Sequence, residues 1–193
     1  VVMCDSTTLN QYKAVSHALA LRAERPVIVT QNGNFPTDVH VLQGLVKASA
    51  GRLSLRFVDS EDEAVAALNE TVAVAALSHV DYRSGERWDM ARVTKAAHDH
   101  GALAVWDLSH SPGAVPVDVQ GAVADFAIGC GYKYLCAGPG GPALSPAMIM
   151  ARTRGGRGMV QALTLPGRGG GGWPQVASRS GKQKSSRSSR CRS

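Results

Sequence analysis

The chain predicts an α/β fold with a mostly parallel sheet flanked by helices. Three observations carry this expectation. Short runs rich in Val, Ala and Ile alternate with longer stretches of helical period. Several of those runs are apolar at nearly every position, as strands buried on both faces are. Residues with reactive side chains fall where the runs end, and that edge is where parallel sheets bind ligands.

Taken in chain order, a helical pattern covers residues 10–22, preceded by the hydroxyl-rich string DSTTLN (residues 5–10). Hydroxyls and unpaired N–H groups at a helix start can cap the helix, bind an anion, or do both. A first strand, VIVT, is expected at 27–30. The turn NFPTD (34–38) leads to a helix over 38–48 and a strand, LSLRFV, at 53–58. A helix at 61–68 precedes the strand VAVAALS at 72–78. The helix at 90–100 stops at Gly101, which suits a C-terminal cap. Two more strands are expected, ALAVWD at 102–107 and FAIGCGYKY at 126–134.

With 193 residues the chain has room for one domain with a real core. Its net charge of +6 is unevenly spread. Residues 152–193 hold ten Lys or Arg and no acid, so all fifteen acids lie before them against eleven bases. The basic character therefore belongs to the tail, and nucleic acid is not the expected partner of the body. Residues 1–150 read as a partial cofactor-binding domain. Residues 151–193, rich in Gly, Ser and Arg, read as a disordered tail, in the manner of translation in a shifted frame. An opening at Val1 without Met fits a fragment. No apolar run is long enough to span a bilayer, and no leader pattern is visible, so no membrane association is expected. The four cysteines lack metal spacing and read as reduced thiols of a cytoplasmic protein. His98 and His100 read as solvated, and no metal site is expected.

Chemistry concentrates in residues 105–143. Asp107 ends one apolar run, and Lys133 ends the next between Tyr132 and Tyr134, with the glycine-rich AGPGG behind it. Either could be ordinary, a turn acid and a solvated strand-end lysine. Together they match the needs of pyridoxal 5'-phosphate. A carboxylate keeps its ring nitrogen protonated, and an amine condenses with its aldehyde.

The strings DLSHSPGAVPVD, ADFAIGCGYKYL and AGPGGPA, with NFPTD and DSTTLN upstream, resemble the cofactor-binding part of kynureninases. Related aminotransferases and desulfurases usually carry a histidine before the lysine, where this chain has Tyr132. The resemblance implies the large domain of the fold type I pyridoxal-phosphate enzymes. It implies hydrolysis of L-kynurenine or 3-hydroxykynurenine, in tryptophan degradation toward NAD, by a cytoplasmic homodimer. It assigns Lys133 as the cofactor-linked amine and proton shuttle, Asp107 as partner of the ring nitrogen, and Tyr132 as a phosphate ligand and candidate acid or base. It places Phe35 on the ring face and sets Pro36 and Thr37 in the pocket wall, with Asp38 behind Asp107. Thr7 and Thr8 would hold the phosphate, and Ser78 and His110 would line the pocket. Cys136 stands where the family has asparagine. Another enzyme of the same fold, a desulfurase or aminotransferase, and an inactive product with a nucleic-acid-binding tail are the alternatives.

Overall fold

The computed structural model describes residues 2, 3 and 5–145. The basic tail at 151–193 lies outside the described residues. The element order is β1 (Val2–Met3), α1 (Thr7–Leu21), β2 (Val27–Gln31), α2 (Pro36–Ala48), β3 (Ser54–Val58), α3 (Glu61–Ala67), β4 (Val72–Ser78), α4 (Met90–Asp99), β5 (Leu103–Asp107), β6 (Phe126–Cys130) and β7 (Ala143–Ser145).

The strands form one sheet in the order β1-β7-β6-β5-β4-β2-β3. Strands β2 to β6 are parallel to one another, whereas β7 runs antiparallel to both β6 and β1. The α/β expectation therefore holds. The sequence order reverses direction between β2 and β4, which opens a crevice beyond their C-terminal ends.

Helices cover both faces, and strand alternation divides the core between them. Val29, Ala75, Leu77, Ala104 and Trp106 point to a face covered by Ala64 of α3 and Val93 and Ala97 of α4. Ile28, Val74, Ala76, Leu103 and Val105 point to the other, against Val15, Ala18 and Leu19 of α1 and Leu42 of α2. Because both faces are dry, β2, β4, β5 and β6 are buried at every residue. Trp106, wholly buried, donates its indole N–H to Thr94 Oγ1 at 2.9 Å.

Two expected boundaries move. Helix α1 starts at Thr7 rather than near residue 10, because Ser6 caps it by accepting the Leu9 N–H at 3.3 Å. Strand β6 stops at Cys130 rather than residue 134. Beyond it the chain closes a loop, with Gly131 N–H on the Pro142 carbonyl and Ala137 N–H on that of Gly131. His98 is also not simply solvated: its Nε2 is 2.8 Å from Oδ2 of the buried Asp125. Among the described residues no helix is long and apolar enough to cross a membrane.

Candidate active site

Four strand-end loops converge at the C-terminal edge of the sheet. Asp107 closes β5 and is buried. Its Oδ1 accepts from both the N–H and the hydroxyl of Ser109, at 2.9 and 2.6 Å. Burial raises its carboxyl above the ordinary range, against the pull of those Ser109 bonds, Lys133 and His110.

Asp38 sits in the first turn of α2 and is almost wholly buried. It lines the same narrow crevice as Asp107, together with Gln11, Asn34, Leu77 and Ile128. Burial, then the charge of Asp107, pushes its carboxyl up to about 8. Its Oδ2 has no hydrogen-bond partner. Two acids thus share a dry crevice with an oxygen unsatisfied, an arrangement that costs stability until a cationic donor meets it.

Lys133 lies in the loop after β6, not on the strand itself. Its Nζ is 2.7 Å from His110 Nε2 and stands 5.3 Å from the centre of the Phe35 ring. The Tyr132 ring is 5.8 Å away on another side. Burial, then the neighbouring Lys133 charge, holds His110 below the usual imidazole range, so the neutral ring accepts a hydrogen bond from the ammonium. Burial, then Cys130, raises the Tyr132 phenol, so it remains protonated and able to donate. The loop is held against the one after Asp107 at Gly113. A Cβ there would lie 2.3 Å from the Tyr134 carbonyl oxygen, and φ is +88°.

The remaining sequence-derived positions distribute as follows. Phe35 precedes α2 and is partly exposed, with Pro36 at the first helical position and Thr37 following. Ser78 ends β4, is buried, and donates to Asn34 Oδ1 at 2.7 Å, which also accepts the Phe35 N–H at 2.7 Å. Gln31 brackets Ser78, donating to its carbonyl and accepting its N–H. Ser78 therefore holds the Phe35 turn in place. Thr7 and Thr8 open α1, where their N–H groups have no intrahelical partner, whereas Ser6 caps Leu9. Asn34, Ser109 and Tyr82 were not legible as site residues. The first two sit in quoted motifs without a distinguishing pattern, and Tyr82 enters only through the fold. Among the described residues no group of three or more His, Cys, Asp or Glu could hold a metal ion.

A lysine amine facing buried carboxylates at the end of a parallel sheet is the layout of an enzyme that binds an aldehyde cofactor with a basic ring, and the comparisons with known proteins agree. Residues 1–146 match the model of the family described as aminotransferase class-V, and the chain belongs to that family.

Within it the sequence is kynureninase-like. It is 48% identical over 147 residues to the kynureninase of Pseudomonas fluorescens, covering 74% of this chain and 35% of that protein. It is 42% identical over 168 residues to the kynureninase of Burkholderia mallei (strain SAVP1), covering 85% and 39%. The chain therefore spans little more than a third of the length of these relatives. Among solved structures it is similar to the apo cysteine desulfurase of Thermococcus onnurineus NA1, with a TM-score of 0.62, 25% identity, and coverage of 74% of this chain and 36% of that one. A NifS-like protein superposes with a TM-score of 0.65 at 13% identity, covering 75% and 41%, a likeness of fold alone.

Proposed function

We propose that the chain carries the pyridoxal-phosphate-binding part of a kynureninase-type hydrolase, which splits L-kynurenine or 3-hydroxykynurenine to an anthranilate and L-alanine. We read the working enzyme as a cytoplasmic homodimer. The observation that carries the proposal is the Lys133 amine, hydrogen-bonded to His110 and near enough to the buried Asp107 and Asp38 for its charge to act on both carboxyls. The residues fit the cofactor on physical grounds. The orphaned Asp38 Oδ2 and the raised carboxyl of Asp107 call for a cationic N–H donor, which a protonated ring nitrogen provides.

When bound, pyridoxal phosphate supplies an electrophilic carbonyl for amines and a ring that withdraws electrons from the substrate α-carbon. Asp107 would hold the proton on the ring nitrogen, with Asp38 beside it, and Phe35 would offer its face to the ring. Thr7 and Thr8 present N–H and hydroxyl donors to the phosphate, where the start of α1 favours negative charge. Lys133, once its amine is free and uncharged, would take the α-proton and return it, and His110 would accept one of its N–H groups in a hydrogen bond. Tyr132, protonated at neutral pH, is the donor for phosphate or for the substrate carbonyl.

Borohydride reduction of the chain mixed with pyridoxal phosphate tests this. The label is expected on Lys133 and absent in Lys133→Ala, and stable attachment to another lysine would refute the assignment. Anthranilate released from kynurenine, rather than sulfide from cysteine, distinguishes the hydrolase from a desulfurase of the same fold.

A further inference from the structure

Tyr82 is a large aromatic side chain left 39% exposed in the loop between β4 and α4, so it does not serve the core. Its ring nevertheless has two aromatic neighbours from two other strand-end loops. Phe35, after β2, meets it edge-on at 5.1 Å between centroids, with an interplanar angle of 79°. His110, after β5, stacks on it at 6.3 Å and 30°. Those two are also the groups that flank the Lys133 amine.

The turn that delivers Tyr82 is rigid. Asp81 Oδ1 accepts from the N–H groups of Arg83 and Ser84, at 2.8 and 2.7 Å, and from the Ser84 hydroxyl at 3.1 Å. Gly85 adopts a φ of +73°, and Val80 pairs with Arg87 beyond it. Arg83 ties the turn to the Phe35 loop, its Nη2 donating to the Gly33 carbonyl at 3.3 Å. A Cβ on Gly33 would lie 2.0 Å from that nitrogen, so the two loops meet closely.

We propose that Tyr82 is a positioning residue for the lysine site: its ring fixes the planes of Phe35 and His110, and thereby aims His110 Nε2 at the Lys133 amine. An imidazole on a loop can rotate about its side-chain bonds, and its hydrogen bond to Nζ survives only over a narrow range of ring orientations. Stacking removes that freedom before any ligand arrives, which is preorganisation. The catalytic meaning of this role rests on the function proposed for Lys133, but the coupling of Tyr82 to His110 does not.

The test uses the full chain with Tyr82, Tyr82→Phe, Tyr82→Leu and Tyr82→Ala. The His110 imidazole is followed by NMR in the cofactor-free protein and assigned by loss of its signal in His110→Gln. Tyr82→Phe keeps the ring and is expected to leave the His110 titration unchanged. Tyr82→Ala and Tyr82→Leu both remove the stacked ring that holds His110 against the Lys133 charge, and its midpoint should rise by about half a pH unit. Affinity for pyridoxal phosphate should fall about 3–10-fold in the same two variants and not in Tyr82→Phe. Thermal melts identify a variant that fails to fold, and Tyr82→Leu keeps side-chain bulk if Tyr82→Ala is the one lost. An unchanged His110 titration in Tyr82→Leu, or a Tyr82→Phe variant as impaired as Tyr82→Leu, would overturn the positioning role. A parent chain that binds no pyridoxal phosphate would instead defeat the proposed function and leave the His110 titration to decide for Tyr82.

Discussion

His110 Nε2 lies 2.7 Å from Lys133 Nζ, across 23 residues of chain. Both side chains come from loops that follow strands, so the hydrogen bond depends on β5 and β6 being adjacent and parallel. The imidazole, held neutral by burial and by the lysine charge, is an acceptor that does not compete for that charge. The site thus keeps its amine oriented by an uncharged partner while the two acids stand deeper in the crevice.

Asp38 should make the cofactor-free protein less stable as the medium becomes more alkaline. Its carboxyl is raised from 3.8 to about 8 by burial, then by Asp107. A raised acid contributes its full stability below the unfolded value, and that stability is lost as pH climbs from about 4 toward 8. Asp38→Asn should therefore melt higher than the parent at pH 8, by on the order of a few kcal/mol, and the difference should vanish near pH 4. The same change should weaken pyridoxal-phosphate binding. Calorimetric melts across that pH range, with cofactor titrations beside them, check both arms.

The His98–Asp125 pair should add a second loss of stability with rising pH, one that begins nearer neutrality. The hydrogen bond to Asp125 raises His98 above the ordinary imidazole value, with burial opposing it. A raised histidine stabilises fully below its unfolded value, near 6.5, and loses that contribution as pH rises through the folded value. Asp125→Asn should cost about 1–3 kcal/mol at pH 6 and less at pH 9 as His98 loses its proton, the residue of the cost coming from the Ala104 N–H that Asp125 Oδ2 also accepts at 2.8 Å. Urea denaturation at the two pH values measures this. A cost that grows toward pH 9 would contradict it.

Gly113→Ala should disturb the Lys133 loop more than the sheet. The new methyl would meet the Tyr134 carbonyl oxygen in a left-handed backbone conformation. Strain of this kind costs about 1–3 kcal/mol. The expected signature is a modest loss of melting temperature with a larger loss of cofactor affinity. Equal affinity in the variant would show that the loop does not need this close approach.

Much of the framework was legible because each central strand is apolar on both faces, and Asp107 and Ser78 stand where such runs stop. The end of β6 was not. Tyr132 and Tyr134 extend the aromatic, strand-like pattern past Cys130, and the hydrogen bonds that turn the chain there reach forward to Pro142. The start of α1 reads late in the sequence because Thr7 and Thr8 have weak helical preference and only the Ser6 cap decides it. His98 looked solvated because its partner, Asp125, is 27 residues away. Tyr82 carries no local signal at all, since its two ring partners lie 47 and 28 residues distant in sequence.

The antiparallel β7 sets an order of assembly. Val2 pairs with Ser145 and Met3 with Leu144, so among the described strands β1 joins the sheet only through β7, which follows the other six in sequence. Strands β2 to β6 pair among themselves without it. During folding β1 stays unpaired until β7 is in place, whereas the parallel strands and their helices can gather without either. Closing so large a loop belongs to the slow phase of folding. The segment that carries Lys133 lies immediately before β7, so the docking of β7 coincides with the shaping of the lysine loop.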